Sequence, residues 1–409
     1  MNKFLKEFKD RGFFYQCTGE DELSTLLDKE KINGYIGFDC TAESLHVGSL
    51  LQIMCLRLLQ KNGHRPIVLL GGGTTRIGDP SGKDKTRTIL SEEEIEKNIK
   101  NIEKILKKFL DTNDPKIKPL FVNNYSWLKN LNYISFLRDI GKHFTINKML
   151  SFDSVKTRLE REQSLNYMEF NYMILQAYDF LELNKKENCI LQMGGSDQWG
   201  NIVNGVDLIK RHSNKQSYGL TTPLITLASG AKMGKTESGA IWLDKKFLSP
   251  YDYWQFWRNI DDRDVLKFLK IFTDLSIDEI EKIKKQDINH QKIILANETT
   301  SMLHGEKEAK ASEETAKKTF SENSIGSELP SVSINKDQLK KGLNIIDLIV
   351  LSKLENSKSE IRRLIKGNGV KINNQSIANE KLIITQDLFK DNNIKLSLGK
   401  KRHLKVELS

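Results

Sequence analysis

The chain has 409 residues, a length typical of two or three domains, because single hydrophobic cores stop growing at roughly 250–300 residues. Hydrophobic residues make up 38% of it, enough to build cores, but no apolar run approaches the roughly 18 residues of a membrane helix, and the N-terminal segment lacks the apolar stretch of a signal peptide. The four cysteines are too widely spaced for a zinc site or a disulfide framework, which favours a reducing compartment.

The net charge of +10 is concentrated near the C-terminus. Residues 342–409 contain 13 Lys and Arg against 7 Asp and Glu, a net charge of +6, whereas the first 341 residues contain 51 against 47. A basic tail of this kind indicates a module that binds a polyanion. An ordinary solvated basic surface explains the charge equally well, so charge alone does not decide between the two.

The first half of the chain alternates between predicted strands and predicted helices. Short apolar runs bounded by turn residues predict strands at Tyr35–Asp39, Pro66–Leu70, Lys118–Val122 and Cys189–Met193. Apolar residues at helical spacing predict helices at Val47–Gln60 and Asn166–Leu183, and a capping box of Ser91 and Glu94 begins a third. This alternation predicts an α/β fold with a Rossmann-like parallel sheet, whose ligands bind beyond the carboxyl ends of the strands.

The second half changes character. Residues 250–322 are predicted to be helical, and their aromatic cluster is more typical of a buried core than of a base-stacking platform; it comprises Tyr251, Tyr253, Trp254, Phe256 and Trp257. Residues 323–341 are rich in Ser, Glu and Lys without a clear period, which predicts a linker. We therefore expect a Rossmann-like catalytic domain at 1–222, a mobile loop and linker at 223–249, an all-helical domain at 250–322, a linker at 323–341 and a small α+β domain at 342–409.

Two glycine-lysine segments have to be tested as phosphate loops. The segments Gly78–Lys83 and Gly230–Thr236 are each one residue short of the spacing of a P-loop. Loop length sets how backbone N–H groups surround a phosphate, so neither segment is a good match, and a nucleotidase is a distant alternative.

A different pair of segments fits better. Residues Thr41–Ser49, which include His46 and Gly48, and residues Lys232–Thr236 resemble the HIGH and KMSKS signatures of class I aminoacyl-tRNA synthetases. These enzymes activate an amino acid by attack of its carboxylate on the α-phosphate of ATP, which needs positioned donors rather than a covalent group on the protein. His46 near a helix N-terminus, together with Lys232 and Lys235 in a mobile loop, supplies donors of this kind.

A polar stripe on the predicted helix Asn166–Leu183 indicates the amino acid. Tyr172, Gln176 and Asp179 are spaced i, i+4 and i+7, so they share one face of the helix, and Tyr35 at the edge of the first strand is expected to face the same cavity. A tyrosine ligand needs acceptors for its ammonium group and partners for its phenol, and these four residues supply both. Taken alone, the stripe is also typical of an amphipathic surface helix.

The whole chain resembles the bacterial form of the tyrosyl-tRNA synthetases. The resemblance rests on the segments Tyr35–Asp39, Gly78–Lys83, Leu137–Phe144, Tyr172–Asp179, Gly194–Asn201 and Lys232–Gly239. It implies that Asp79, Tyr172 and Gln176 bind the substrate ammonium group, that Tyr35 and Asp179 bind its phenol, and that Gln192 and Gln198 line the adenylate pocket. It also implies a set of residues around ATP: Asp39, Thr41, His46, Gly48, Gly195, Asp197, Lys232, Lys235 and Thr236, with Lys83 and Arg87 near the phosphates or RNA.

The resemblance also implies the partners. ATP is expected as a substrate with Mg²⁺, without a protein-bound metal or organic cofactor. The other partners are L-tyrosine and the tRNA for tyrosine, the protein is expected to be a cytoplasmic homodimer with no membrane contact, and its location in cytosol or organelle matrix stays open. Two alternatives are a tryptophanyl-tRNA synthetase, disfavoured by the phenol-binding pair, and a catalytically idle RNA-binding relative, disfavoured by His46, Lys232 and Lys235.

Three positions depart from the family pattern. Ser49 stands where the signature has its second histidine, Met233 stands where phenylalanine is common, and Cys40 stands where proline is frequent, so we expect a looser turn before His46.

The tail resembles a small RNA-binding domain that is shared with a ribosomal protein of the small subunit. A helix that starts near Ser357 is predicted to present Arg362, Arg363 and Lys366 to an RNA phosphate backbone, and Gly367–Asn374 is predicted to begin a hairpin.

Overall fold

A computed structural model describes residues 1–79, 90–230, 233–236, 239–320, 329–399 and 402–409. These residues form two compact units, one made of 1–248 and 257–303, the other of 249–256 and 304–409. Among the helices within these ranges, none is long and apolar enough to span a membrane.

The first unit is built on a six-stranded sheet, as the alternation of strands and helices predicts. Its strands are β1 (Gln16–Cys17), β2 (Asn33–Phe38), β3 (Arg65–Leu70), β4 (Leu120–Asn123), β5 (Cys189–Gly195) and β6 (Tyr218–Thr222). The strand order is β1-β6-β5-β2-β3-β4, and every neighbouring pair is parallel except the edge pair of β1 and β6. The predicted α/β class and parallel sheet are therefore confirmed.

Eleven α-helices of the first unit lie within the described part of residues 3–213. They are α1 (Lys3–Asp10), α2 (Glu20–Lys29), α3 (Val47–Lys61), α4 (Gly72–Thr75), α5 (Glu92–Phe109), α6 (Tyr125–Leu128), α7 (Tyr133–Asp139), α8 (Ile146–Leu150), α9 (Asp153–Glu160), α10 (Tyr167–Glu187) and α11 (Trp199–Ser213). Local chemistry sets their ends: Ser91 and Glu94 form the predicted capping box of α5, and α10 ends at Asn188, which adopts the left-handed conformation with φ 48°. A two-stranded hairpin follows, with β7 (Lys235–Thr236) and β8 (Gly239–Ala240).

The predicted helical domain at 250–322 does not form one unit. The structure has the expected helices, α12 (Pro250–Arg258), α13 (Val265–Phe272), α14 (Ile277–Ile283), α15 (Ile288–His304) and α16 (Glu306–Phe320), but α13 and α14 belong to the first unit and α16 to the second. Arg11, which follows the last residue of α1, explains why α13 belongs to the first unit. Its buried guanidinium donates hydrogen bonds to the carbonyl oxygens of Lys270, Thr273 and Leu275. A helical pattern along the chain does not reveal such a cross-link.

The second unit contains a five-stranded sheet of order β11-β10-β12-β13-β9. Its elements are β9 (Ser331–Ile334), α17 (Lys336–Lys340), α18 (Ile345–Leu351), α19 (Lys358–Lys366), β10 (Val370–Ile372), β11 (Gln375–Ser376), β12 (Asn393–Leu398) and β13 (Arg402–Leu408). Asn373 and Asn374, both at positive φ, form the two-residue turn of the predicted hairpin.

The linker predicted at 323–341 contains regular structure. Strand β9 pairs in parallel with β13, and Ile334 is buried in the core of this unit. With only Val332 and Ile334 as apolar residues, β9 is too short to show a period among its polar neighbours.

One buried cation ties α16 to this sheet. Lys395 on β12 is 2% exposed, and its ammonium group donates to the carbonyl oxygen of Thr319, 2.6 Å away in the last turn of α16. Burial lowers the pKa of Lys395, but the carbonyl groups at a helix C-terminus are good partners for a cation. Helix α16 is therefore part of the same fold as the C-terminal sheet.

Candidate active site

A cavity of about 560 Å³ opens at the carboxyl ends of β2 and β5. These central strands flank the point where the strand order reverses, the usual place for a ligand in an open parallel sheet. Eight of the predicted site residues line the cavity: Tyr35, Asp39, Tyr172, Gln176, Asp179, Gln192, Gly195 and Gln198. Strand ends and one face of α10 thus bring together residues up to 163 positions apart in the chain.

Three buried polar atoms of residues that line this cavity make no hydrogen bond within the described part of the chain: the Tyr35 hydroxyl, Gln52 Oε1 and Gln192 Oε1. Tyr35 on β2 and Gln192 on β5 are neighbours in register and are 0% and 2% exposed. Within the described residues, neither the Tyr35 hydroxyl nor Gln192 Oε1 makes a hydrogen bond. Because an unsatisfied buried polar group is costly, these atoms favour a polar ligand in the cavity. Burial raises the pKa of Tyr35 well above its ordinary value, and the charge of Asp179 raises it further, so its hydroxyl stays protonated.

Asp179 lies at the same end of the cavity and is 1% exposed. Asn124 Nδ2 donates to one carboxylate oxygen at 2.9 Å, and Trp127 Nε1 donates to the other at 2.8 Å. Burial raises the pKa of Asp179 to about 7, although both hydrogen bonds favour the ionised form. A phenol between Asp179 and Tyr35 would meet an acceptor and a donor.

Asp39 follows β2 at another side of the cavity. Its two carboxylate oxygens accept hydrogen bonds from Thr74 Oγ1 at 2.8 Å and from the hydroxyl group of Tyr172 at 3.1 Å. A residue expected near ATP thus orients a residue expected to bind the tyrosine ammonium group.

A third group of polar residues joins the remaining predicted ligands. Gln198 Nε2 donates to Asp79 at 3.0 Å, while Asn201 Nδ2 donates to Gln176 Oε1 and Gln198 Oε1, each at 3.0 Å. Carboxylate and amide oxygens are suitable acceptors for an ammonium group.

A second, wider cavity of about 1,480 Å³ shares Asp39, Gly195 and Gln198 with the first. It is also lined by His46, Gly48, Ser49, Asp197 and Met233, so residues of both signature segments meet there. The first cavity therefore adjoins a wider one, and Asp39, Gly195 and Gln198 border both.

His46 is the N-cap of α3, and its Nδ1 accepts the backbone N–H of Gly48 at 3.0 Å. An Nδ1 that accepts leaves the proton of a neutral imidazole on Nε2, which is then a donor. The other signature segment lies alongside: a Cβ atom on Gly234, whose φ is +96°, would come within 2.7 Å of the Gly48 nitrogen. The N-terminus of α3 and a histidine donor thus share one anion-favouring corner.

The other predicted residues do not line the first cavity or lie outside the described residues. Thr41 is exposed and does not line either cavity, and Lys83, Arg87 and Lys232 lie outside the described residues. The backbone of Lys235 and Thr236 forms β7. Arg362, Arg363 and Lys366 are exposed on α19 of the second unit. In the part of the chain that the structure describes, no group of three His, Cys, Asp or Glu side chains has the arrangement of a metal site.

The turn at Cys40 is braced rather than loose. Its backbone N–H donates to Thr75 Oγ1 at 2.7 Å, a bond that proline cannot make, and its carbonyl oxygen accepts from Asn98 at 2.9 Å. The expectation of a looser turn fails because partners from α4 and α5 replace the rigidity of a proline ring.

Sequence analysis missed four polar residues of the site: Thr74, Asn124, Trp127 and Asn201. Asn124 follows β4, so the rule that ligands gather beyond strand ends points to it. The other three contact predicted ligands through side chains whose direction no sequence spacing indicates.

Comparison with known proteins identifies the family. A family model of class I tRNA synthetases (W and Y) matches residues 27–321, and a model of the SYY-like C-terminal domain of tyrosine–tRNA ligases matches residues 308–406. The chain is 81% identical to a tyrosine–tRNA ligase of Pelagibacter ubique over the full length of both chains. The chain belongs to the tyrosine–tRNA ligase family.

Other members of this family agree. A tyrosine–tRNA ligase of Rickettsia rickettsii is 51% identical over 99% of this chain and 100% of its own. A solved structure of a C-terminally truncated mitochondrial tyrosyl-tRNA synthetase from Aspergillus nidulans has a TM-score of 0.70 at 31% identity, and the match covers 78% of this chain and 94% of that one. The tyrosyl-tRNA synthetase of Archaeoglobus fulgidus, at 18% identity and a TM-score of 0.56, shares the fold.

The pKa of Asp179 predicts a pH dependence for a tyrosine–tRNA ligase that reads the phenol with this carboxylate. Because the pKa is raised to about 7, the accepting, ionised form is lost as the pH falls through 7, and only about a tenth of it is left one unit lower. In pyrophosphate exchange, kcat/KM for tyrosine should fall about tenfold per pH unit below 7. The same titration with ATP as the varied substrate is the control, and an identical fall there would exclude Asp179 as the cause.

Proposed function

We propose that this chain joins L-tyrosine to its tRNA in two steps. The carboxylate of tyrosine attacks the α-phosphorus of ATP, the bond to the β-phosphate breaks, and tyrosyl-adenylate forms with release of pyrophosphate. A terminal hydroxyl of the tRNA then attacks the acyl carbon, and AMP leaves. The observation that carries this proposal is the hydroxyl of Tyr35, which has no hydrogen-bond partner among the described residues and lies close enough to the buried carboxylate of Asp179 for the charge of Asp179 to raise the pKa of Tyr35.

In this proposal the smaller cavity holds the amino acid. Tyr35 donates a hydrogen bond to the phenolic oxygen, and Asp179 accepts a hydrogen bond from the phenolic O–H. Asp79, Tyr172 and Gln176 bind the ammonium group. Gln192 and Gln198 line the space between the amino acid and the nucleotide. A buried pair of polar groups discriminates strongly against a ligand that leaves the pair unsatisfied.

The larger cavity holds ATP. His46 and the N-terminus of α3 stabilise negative charge on the phosphates, and Asp39, Gly195 and Asp197 are on the ribose side. Lys232, Lys235 and Thr236 close over the leaving pyrophosphate, with Thr41, Lys83 and Arg87 around the phosphates. Mg²⁺ enters with ATP, held by phosphate oxygens, which is how this cation commonly reaches nucleotide sites. We place the reaction in the cytoplasm.

Pyrophosphate exchange into ATP, measured with each of the twenty amino acids, tests the activity. We expect rapid exchange with tyrosine only, because phenylalanine leaves Tyr35 and Asp179 unpaired; the tyrosyl enzymes are the usual illustration of this rule, so the expectation is borrowed from them. Tryptophan is the informative competitor, since an indole does not match the hydroxyl–carboxylate pair. Exchange with phenylalanine or tryptophan as fast as with tyrosine would reject the pocket assignment.

An exposed apolar face supports a homodimer. Eight large hydrophobic side chains between residues 133 and 168 are at least a third exposed: Tyr133, Ile134, Leu137, Ile146, Leu150, Leu159, Tyr167 and Met168. These residues are neighbours in the sequence, and the hydroxyl groups of Tyr133 and Tyr167 lie 2.8 Å apart, which brings the two ends of the segment together. So many exposed apolar side chains in one segment are typical of a surface that another protein covers, and a two-fold interface needs only one self-complementary patch. We propose that a second copy of the chain covers this face, which includes the first turn of α10, the helix that also carries Tyr172 and Asp179.

Ile134, which is 70% exposed, tests the dimer. Ile134→Glu places a charge in each half of the interface, and because a buried unpaired charge costs several kcal/mol, the dimer should dissociate. Sedimentation equilibrium should then report a mass near 47.0 kDa instead of twice that value. Ile383→Glu, at another exposed isoleucine, is the matched control and should stay dimeric; dissociation by both or by neither would reject this face.

We propose that the C-terminal residues 342–409 bind the tRNA, while residues 1–222 and the loop 223–249 carry out the chemistry. Helix α19 exposes Arg362, Arg363 and Lys366; Arg363 pairs with Glu360 on its own helix, and Arg362 is 3.9 Å from Glu380. Exposed ion pairs of this kind are weak, so both cations are available to phosphates.

Replacement of Arg362, Arg363 and Lys366 by glutamine should raise KM for tRNA and leave pyrophosphate exchange intact. Each lost phosphate contact should reduce the slope of log affinity against log salt by about 0.7–0.9. Replacement of Lys336, Lys340 and Lys341 by glutamine removes the same charge from the region of α17 and serves as the control. An equal loss of affinity in both variants would indicate a general charge effect instead of a contact by α19.

A further inference from the structure

A continuous chain of hydrogen bonds connects the two carboxylates of the site. Asp39 accepts from Thr74 Oγ1 at 2.8 Å, Thr74 Oγ1 accepts from Asn124 Nδ2 at 3.0 Å, and the same Nδ2 donates to Asp179 at 2.9 Å. Tyr172 extends the chain beyond Asp39 at 3.1 Å. Thr74 thus contributes the one hydroxyl group in the path between Asp179, which is proposed to bind the phenol, and Asp39, which orients Tyr172.

The direction of each bond in this chain is determined. Asn124 Oδ1 accepts the backbone N–H of Gly73 at 2.7 Å, so Nδ2 is the atom that faces Thr74 and Asp179. The two protons of Nδ2 are used by these two acceptors, and the only hydroxyl proton of Thr74 is left for Asp39. Between Asp39 and Asp179, every donor therefore points outward from Asn124 towards a carboxylate.

The chain is buried and closely packed. Thr74 is 3% exposed, Asn124 is 0% and Asp179 is 1%. A Cβ atom on Gly71 would lie 2.3 Å from Asp39 Oδ1 and 2.6 Å from Thr74 Oγ1, so a side chain there would displace the bond between them. In a buried network of this kind, loss of one member leaves the partners unsatisfied, because water does not replace it easily.

We infer that Thr74 is a positioning residue for the tyrosine reaction, which fixes Asp39 directly and Asp179 through Asn124. The inference rests on the proposed function. Loss of the Thr74 hydroxyl removes one donor of Asp39, which keeps the hydrogen bond from Tyr172. It also leaves one proton of Asn124 without its acceptor, so the amide should leave the orientation in which it donates to Asp179. Both ends of the amino-acid pocket should loosen together. Thr74 also lines this cavity, so its hydroxyl and its methyl group have to be tested separately.

Two opposite substitutions separate this role from simple packing. Thr74→Val keeps the shape of the side chain and removes the hydroxyl, whereas Thr74→Ser keeps the hydroxyl and removes the methyl group. A hydrogen bond to a charged group is worth enough that Thr74→Val should lower kcat/KM for tyrosine by about 10- to 100-fold. The preference for tyrosine over phenylalanine should fall, and Thr74→Ser should stay within about threefold of the unaltered chain. If Thr74 only fills space, the valine variant keeps its activity and the serine variant loses it, which would overturn the inference.

Thr75→Val is the matched control, because it removes the adjacent hydroxyl, which binds the backbone N–H of Cys40 instead of a carboxylate. Its preference for tyrosine over phenylalanine should stay that of the unaltered chain, and an equal fall in both valine variants would point to general loosening of α4. The unaltered chain is measured first: absence of tyrosine-dependent exchange there rejects the proposed function. An active chain with an unaffected Thr74→Val variant rejects the role of Thr74 alone.

Discussion

A carboxylate can be buried in a protein only if other groups donate hydrogen bonds to it, and Asp179 imposes this condition on the whole site. At 1% exposure it is held by two neutral donors, Asn124 and Trp127. These donors lie beyond β4, at the edge of the sheet, so the edge strand is as important to the pocket as the central strands are. Burial raises the pKa of this carboxylate to about 7, and the two neutral donors lower the pKa less than a neighbouring cation would.

The sheet satisfies this condition because of its strand order. The reversal at β2 and β5 separates the loops that follow these strands, and the resulting gap receives Asp39 from one side and Gly195 from the other. The helix α10 then crosses beneath the gap with its polar face turned towards it, while Phe180 and Leu181 are fully buried. One helix thereby contributes side chains to both the core and the pocket, which explains why polar residues interrupt its apolar sequence.

Much of this arrangement could be predicted from the sequence. The strands, α3, α5 and α10 have strong apolar periods and capping residues, and the spacing of Tyr172, Gln176 and Asp179 indicates a shared face directly. The contributions of Thr74 and Asn201 could not be predicted, since a single hydroxyl or amide near the start of a helix forms its bonds across the fold and leaves no period. For the same reason the sequence does not show that α13 belongs to the first unit, because this depends on hydrogen bonds from Arg11, some 260 residues earlier. Long-range polar contacts, unlike apolar stripes, have no signal in local order.

The bond between Lys395 and Thr319 determines where this chain can be divided. Helix α16 has a carbonyl group in its last turn that accepts a hydrogen bond from a lysine of the C-terminal sheet, so the helix cannot be exchanged without that sheet. Recombination between relatives would therefore preserve function best with a crossover before α16, and the overlap of the two family models across residues 308–321 covers most of this helix. The two family models thus meet within the helical region, ahead of the polar stretch at 323–341.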